Sequence, residues 1–267
     1  MIMNYLRTCL YEPKVRNINV DDNELLNIHA SILSEKTLLR SAFETFYLDM
    51  ATLCDQFITS PGLEVELGTG AGFFKKIRPA LITSDVRRGP GIDMELDAQA
   101  MNLNSSSVRC VYAINVFHHL PDPEKFFDEL YRVLKPGGGC ILVEPHGGFA
   151  SALLHRHLHK NERYDLNTSS WQTSEIAGPL SGANQALAEI IFRRDLAVFK
   201  KKYNGKLNIV HRDYELNALR YFFSGGLNFR QLAPSFMENP MKKIEKISKR
   251  YARHWSLHQI IIIQKQK

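Results

Sequence analysis

Between residues 63 and 143 the chain alternates short apolar runs with amphipathic stretches. The runs are apolar almost throughout and predict four buried strands, at Leu63–Leu67, 80–84, Val108–Ile114 and 140–143. Helical patterns fall at 72–78 and 124–134. This alternation predicts right-handed crossovers and a mostly parallel α/β sheet.

Helical patterns also precede this region, the first capped by Asp21 or Asp22 and the second by Ser34. Further strands are predicted at 207–211 and 255–264, with a basic helix at 240–251 between them. We therefore expect four parts: a helical cap at 1–60, a Rossmann-like core at 61–146, an insertion at 147–205, and a C-terminal part at 206–267 that completes the core.

The most informative stretch is 65–72, where the first strand ends in Glu66 and turns through three glycines. Such a loop lets a ligand approach the backbone closely and is typical of nucleotide sites. A dinucleotide fingerprint reads G-x-G-x-x-G. Here the spacing from Gly68 is G-x-G-x-G, and Phe73 occupies the position of the third dinucleotide glycine. The loop therefore disfavours a dinucleotide.

Asp85 follows the second predicted strand, at the edge where doubly wound folds bind ligands. A carboxylate there can accept hydrogen bonds from both hydroxyls of a ribose. A second acidic segment contains Asp93, Glu95 and Asp97.

The composition is that of an ordinary globular protein, with 44% hydrophobic and 23% charged residues. No apolar run reaches the length of a membrane span, and the four cysteines are scattered without a C-x-x-C pair. We therefore expect a cytoplasmic protein without structural zinc. The net charge of +6 fits an anionic substrate, nucleic acid or a membrane surface, although solvated helix faces also account for such an excess.

The downstream motifs are longer and more specific. Residues 115–123 read N-V-F-H-H-L-P-D-P, residues 129–139 read E-L-Y-R-V-L-K-P-G-G-G, and the next strand ends in Glu144 and Pro145. Together with G-x-G-x-G, this order resembles the class I S-adenosyl-L-methionine (SAM) dependent methyltransferases, in particular the type 11-like small-molecule group. The resemblance covers about 60–146. It implies a Rossmann-like, doubly wound, mostly parallel seven-stranded sheet with an antiparallel last strand, N-terminal helices, and a helical insertion before the last strands.

The resemblance also implies cofactor contacts. The loop would face the methionine end of SAM, with Glu66 accepting from its ammonium group. Asp85 would hold the ribose, Asp97 with Ala98 the adenine, and Asn115 with Val116 the methionine portion. The implied cofactor-binding residues are Glu66, Gly68, Thr69, Gly70, Gly72, Asp85, Val86, Asp97, Ala98, Asn115 and Val116.

Arg109 departs from the family, which usually has an Asp at the start of this strand, and we expect the change to affect local packing. The segments L-S-G-A-N-Q-A and F-S-G-G-L-N-F-R resemble a bacterial group associated with surface-polysaccharide genes.

A hydroxyl acceptor would need a general base, and histidine suits that role near neutral pH. His146 is the first candidate and His118 the second, because both follow strand ends; His119 is an alternative. Packing roles remain open for each. His155 and His159 lie one helical turn apart, but no acid or cysteine cluster accompanies them, so no metal is expected.

The leading hypothesis is an enzyme that methylates a small molecule, a glycan hydroxyl or a lipid-linked glycan. Alternatives are a quinone or lipid acceptor received by Phe222, Phe223, Leu227 and Phe229, an RNA acceptor, and a non-catalytic SAM-binding fold. RNA is disfavoured because no RNA-binding module is recognisable, and DNA is not expected. Peripheral membrane contact and the oligomeric state stay open.

Overall fold

The computed structural model describes residues 10–16, 18–19, 21–149, 151, 163–173, 178 and 183–267. Within them seven strands form one sheet in the order β3-β2-β1-β4-β5-β7-β6. The strands are β1 (Leu63–Leu67), β2 (Ile82–Asp85), β3 (Met94–Glu95), β4 (Val108–Ile114), β5 (Leu134–Pro145), β6 (Leu207–Tyr214) and β7 (His258–Lys265).

The first five strands are mutually parallel, and β7 lies antiparallel between β5 and β6. This is the predicted sheet, with the last strand inserted beside the sixth. The carboxyl ends of β1, β2, β4 and β5 therefore share one edge. The order of the strands across the sheet changes direction between β1 and β4, and folds of this kind form a ligand crevice at such a point.

Six helices of at least seven residues flank the sheet in the described ranges. They are α1 (Glu24–Glu35), α2 (Thr37–Phe57), α3 (Pro123–Val133), α4 (Leu196–Lys202), α5 (Ala218–Ser224) and α6 (Glu238–Ile247). A short helix at Leu187–Glu189 continues into a π-helical turn at Ile190–Arg194, and another lies at Ala252–Trp255.

The side chains of β4 alternate between two cores, as the period of a strand requires. Val111 packs in the core that contains Phe126 of α3, while Tyr112 packs in the core that contains Phe46 of α2. The sheet is therefore covered on both faces. Asp122 caps α3 by accepting from the backbone N–H groups of Glu124 and Lys125.

The helix predicted at 72–78 is wrong. Only a 3-10 turn forms, at Phe74–Lys76. Gly72 donates to the carbonyl of Thr69 in a tight turn, and Pro79 disfavours helical geometry at the residue before it. Too few residues remain to complete a stable α-helix.

The predicted strand at 140–143 is too short, because β5 starts at Leu134 and includes the Pro-Gly-Gly-Gly stretch expected to be a turn. The pairing with β4 shifts register between Val108 and Cys110, and Gly137 has a φ of 73°. A bulge thus absorbs the glycines within the strand.

Arg109 lies at the start of β4, far from the carboxyl edge. Its guanidinium is 2.7 Å from the Glu64 carboxylate and donates to the Ile58 carbonyl at 2.8 Å. It ties the end of α2 to the sheet, so the departure from the family has the expected effect on packing.

Candidate active site

The glycine loop after β1 is held close to β2 and β4. The Thr69 N–H donates to the carbonyl of Ser84 at 2.8 Å. Gly68 has a φ of 59°, and a Cβ there would collide with Val116. Glycine at 68 is thus required both by the backbone conformation and by the close approach of the loop that follows β4.

Glu66 lies beneath this loop and is 3% exposed. Its Oε2 accepts from the Thr69 hydroxyl at 2.9 Å. Burial raises the pKa of Glu66 to about 7; the Thr69 hydrogen bond opposes this shift and the Asp85 charge adds to it. A cation placed here would favour the ionised carboxylate.

Asp85 ends β2 beside the loop and is buried. Its Oδ2 accepts from the Gly70 N–H at 3.1 Å, and its Oδ1 accepts from the Arg87 N–H at 3.0 Å. Each carboxylate oxygen can accept a further hydrogen bond. Asp85 is therefore fixed in place and still able to bind a pair of hydroxyls.

The sequence did not point to Arg87. Its Nε lies 3.6 Å from Asp85 Oδ1, and its side chain is 10% exposed. Within the described residues, Nε and Nη1 of Arg87 and Nε2 of His29 on α1 are buried without a hydrogen-bond partner. Burial, together with the Arg87 charge, lowers the pKa of His29 to about 4. The position of Arg87, two residues after a strand-end acid, is the signal that could have found it.

The residues predicted to contact the adenine, Asp97 and Ala98, come shortly after β3, the strand that pairs with β2. Asp97 is exposed and accepts from the Gln99 N–H at 2.8 Å, while Ala98 is buried. Val86 is 45% exposed. Asp93, the weaker candidate, pairs with Lys75 at the surface at 2.6 Å.

Asn115 and Val116 follow β4 at the same edge. Asn115 has a φ of 55°, a conformation uncommon outside glycine that concentrates at functional sites. Its N–H donates to Val143 at 2.9 Å. Its Oδ1 is buried and has no hydrogen-bond partner in the described part of the chain, so an acceptor is left for a ligand that donates.

His118 is oriented by Glu144, the strand-end acid of β5. Oε2 of Glu144 lies 2.6 Å from His118 Nδ1, and Oε1 accepts from the backbone N–H groups of Val116 and Phe117 at 3.0 and 2.8 Å. Both His118 and Glu144 are buried. A carboxylate at Nδ1 places the proton on that nitrogen and the basic lone pair on Nε2. No pattern in the sequence pointed to this pairing.

His146 lies in a different environment. Its Nδ1 is 2.9 Å from Glu189 Oε1, its Nε2 is 3.0 Å from the carbonyl of Arg253, and the side chain is 1% exposed. Burial raises the pKa of Glu189, but the His146 hydrogen bond and the Arg212 charge outweigh it and lower the pKa to about 2. Both ring nitrogens thus face acceptors, which favours a packing role.

A polar pocket of about 580 Å³, partly open to solvent, lies between the loop after β4 and the insertion. It is lined by His118, Leu120, Arg163, Thr168, Ser170, Trp171, Gln172, Thr173, Asn184 and Leu187. The Thr173 N–H donates to Pro121 and the Asn184 N–H to His118, which docks the insertion on this loop. Trp171 is fixed by donation to Asp195 at 2.8 Å.

A second hollow adjoins the glycine loop and is covered by α1. It is lined by Leu26, Asn27, Ala30, Gly70, Ala71, Gly72, Pro90 and Gly91. The site fits a ligand that carries both an ammonium group and a ribose. It combines the Asn115 Oδ1 acceptor, the buried Glu66 carboxylate and the backbone that lines this hollow. SAM has both groups.

Residues 75–142 match the family model of a methyltransferase domain. This part of the chain is therefore a methyltransferase domain. The strand order is the one that the resemblance to the class I SAM-dependent methyltransferases implied, and SAM is the cofactor of that class. No curated protein matches the sequence at a significant level.

Several solved methyltransferases are similar to this chain. A SAM-dependent methyltransferase from Thermotoga maritima is 14% identical with a TM-score of 0.48, over 91% of this chain and 100% of that one. Geranyl diphosphate C-methyltransferase from Streptomyces coelicolor is 12% identical with a TM-score of 0.47, over 82% and 78%. A Mesorhizobium loti methyltransferase is 13% identical with a TM-score of 0.44, over 80% and 96%. Likeness at this level says nothing about the acceptor.

Among the described residues, none of the helices has both the length and the apolar character needed to cross a membrane. No group of three or more His, Cys, Asp or Glu side chains in the same residues is placed to hold a metal ion. His155, His157 and His159 lie outside the described residues.

Proposed function

We propose that this methyltransferase acts on a hydroxyl group of a small polar molecule or of a glycan, including a lipid-linked glycan. The observation that carries the proposal is the polar pocket beside His118. It lies next to the Asn115–Val116 contacts proposed for the methionine end of SAM, where an acceptor must lie for methyl transfer.

The lining of this pocket suits a sugar-like acceptor. Arg163, Gln172 and Asn184 offer hydrogen-bonding groups, and Trp171 adds a large ring held in one orientation by Asp195. A polar molecule needs several hydrogen bonds to replace those it loses with water. The insertion therefore supplies the groups that select the acceptor.

His118 is the base that we propose. Its Nδ1 is held at 2.6 Å by Glu144, so the ring presents Nε2 to accept the acceptor's hydroxyl proton. The ion pair with Glu144 stabilises the imidazolium that results. His146, ranked first from the sequence, remains a prediction, but His118 is favoured because it lines the polar pocket proposed for the acceptor.

SAM supplies the methyl group, carried on a positively charged sulfur. We propose that Glu66 and Asn115 bind its ammonium group, Asp85 its ribose, and Asp97 with Ala98 its adenine. Gly68, Thr69, Gly70, Gly72 and Val116 lie along the methionine portion, and Val86 flanks the nucleoside. The enzyme contributes mainly by holding the two reactants together and excluding water.

The alternative acceptors have less support. Phe229 packs against Tyr11 with ring centroids 5.6 Å apart, and Leu227 packs against the apolar cluster around Val15. Two of the four side chains that would receive a quinone or lipid ring are thus engaged with the N-terminal segment. The free thiols of Cys54, Cys110 and Cys140 support a cytoplasmic setting.

The test is a methyl-transfer screen with labelled SAM over separate pools of sugar nucleotides, glycans, lipids and RNA. We expect label in a sugar-containing pool, at oxygen. Label confined to RNA or to a quinone would overturn the acceptor assignment and leave the cofactor assignment standing.

A further inference from the structure

Helix α6 and the turn that follows it expose large apolar side chains. Ile244 is 53% exposed, Ile247 is 81% exposed and Tyr251 is 51% exposed. Phe236, just before the helix, is 77% exposed. Isolated apolar residues are common at protein surfaces, but a group of this size within sixteen residues marks an interaction site.

The helix has two different faces. Met241 and Glu245 are buried, and the Glu245 carboxylate lies 2.7 Å from Arg220 of α5. Ile247 lies on the outer face, and Ile244 lies at the border between the two faces, one turn before it. The inner face therefore fixes α6 to the protein while the outer face presents its isoleucines to solvent.

Basic side chains surround the exposed isoleucines. Residues 241–253 contain six lysines and arginines and one acid, Glu245, which is already paired inside the protein. Lys243, Lys246 and Arg250 are in no ion pair within the described residues, and Arg250 lies 4.6 Å from the Tyr251 ring. We name Ile244, Ile247, Tyr251, Lys243, Lys246 and Arg250 the basic apolar face.

This chemistry fits an anionic lipid surface. Basic side chains attract anionic head groups while apolar side chains on the same helix enter the boundary with the acyl chains. A second copy of the chain would bring the same positive charges together. Nucleic acid would match the charges but would leave two branched aliphatic side chains with no base-stacking role.

We propose that the basic apolar face binds anionic phospholipid membranes and holds the enzyme at their surface. The proposal goes beyond methyl transfer and does not depend on it. The same segment continues to Arg253, whose carbonyl faces His146 at the end of β5. The proposed membrane face is thus joined to the edge of the sheet where the site lies.

The test is co-sedimentation of the full chain, without SAM or acceptor, with vesicles of phosphatidylcholine alone or mixed with phosphatidylglycerol. We expect binding to the mixed vesicles only, weakened by salt. Ile244→Asp with Ile247→Asp should lower the partition by about tenfold or more, because two apolar contacts are lost and two negative charges added. Lys243→Glu with Lys246→Glu should do the same.

Val198→Asp is the matched control, since Val198 is 56% exposed on α4, which packs on the opposite face of the sheet from α2 and α6. It should leave vesicle binding unchanged, and all variants should keep the wild-type melting temperature. No binding of the wild type to the mixed vesicles would overturn the proposal, as would full binding by the isoleucine variant. A wild-type dimer that this variant converts to monomer would assign the face to a second copy. RNA binding lost in the same variants would assign it to nucleic acid.

Discussion

Nδ1 of His118 lies 2.6 Å from Oε2 of Glu144, and both side chains are buried at the carboxyl edge of the sheet. The other oxygen of Glu144 is held by two backbone N–H groups of the loop that carries His118. One carboxylate therefore fixes the loop after β4 and the orientation of the histidine ring together. A base held in this way needs little reorganisation before it accepts a proton.

His118→Gln should slow methyl transfer by about a hundredfold, because a positioned general base contributes at least that factor. SAM affinity should stay within about twofold of wild type, since His118 is not among the residues that we propose to hold the cofactor. Turnover of the acceptor found in the screen and calorimetry with SAM measure the two effects. His119→Gln is the matched control, with its ring 4.3 Å from that of His118. Equal losses in both variants would reject His118 as the base.

Asp85→Ala should abolish measurable SAM binding, because the carboxylate is fixed by Gly70 and Arg87 in position to hold the ribose hydroxyls. Asp93→Ala removes an acid eight residues away that pairs with Lys75 at the surface, and should leave SAM affinity nearly unchanged. Calorimetry on both variants gives the comparison. Near-normal affinity in Asp85→Ala would remove its ribose role.

SAM affinity should depend on pH through Glu66, whose pKa is raised to about 7 by burial. The ammonium group of SAM favours the ionised carboxylate, so below pH 7 binding must displace a proton. Affinity should therefore weaken as pH falls below about 7, by up to about tenfold per pH unit, and level off above it. Calorimetry over about three pH units, from about pH 5.5 to about pH 8.5, measures how SAM affinity depends on pH. Glu66→Gln should bind more weakly and show a flat profile. A wild-type profile as flat as that of the variant would contradict the assignment.

His146→Ala should destabilise the fold by about 2–3 kcal/mol, because it removes a buried charge partner of Glu189 and leaves the Arg253 carbonyl without its donor. Denaturant unfolding measures the loss. Glu189 keeps Arg212 as a partner in the variant, which limits the effect. A variant with wild-type stability and greatly reduced turnover would return His146 to the role of base.

Much of the sheet could be predicted from the pattern of apolar residues. The bounds of β1 and β4 agree with the predicted strands, because each is a short, mostly apolar segment between polar loops. The antiparallel β7 was expected from the resemblance to a family. Patterning failed at 72–78, where two phenylalanines suggested a helix but Gly72 and Pro79 leave room only for one turn.

The sequence allows candidate site residues to be chosen by their position along the chain, but it does not show the contacts between them. Asp85 and Asn115 were chosen because each directly follows a predicted strand, and strand ends meet at one edge. The contact between His118 and Glu144 joins positions 26 residues apart and depends on the register of β4 with β5. That register includes a bulge, so no spacing rule could have located the pair.

We propose that the glycine loop, Glu66 and Asp85 form a SAM site, and calorimetry of the wild-type protein with SAM, S-adenosylhomocysteine and NAD is the decisive experiment. We expect SAM and S-adenosylhomocysteine to bind with one site per chain and NAD to show no measurable binding. Tight binding of NAD without binding of SAM would overturn the proposed site.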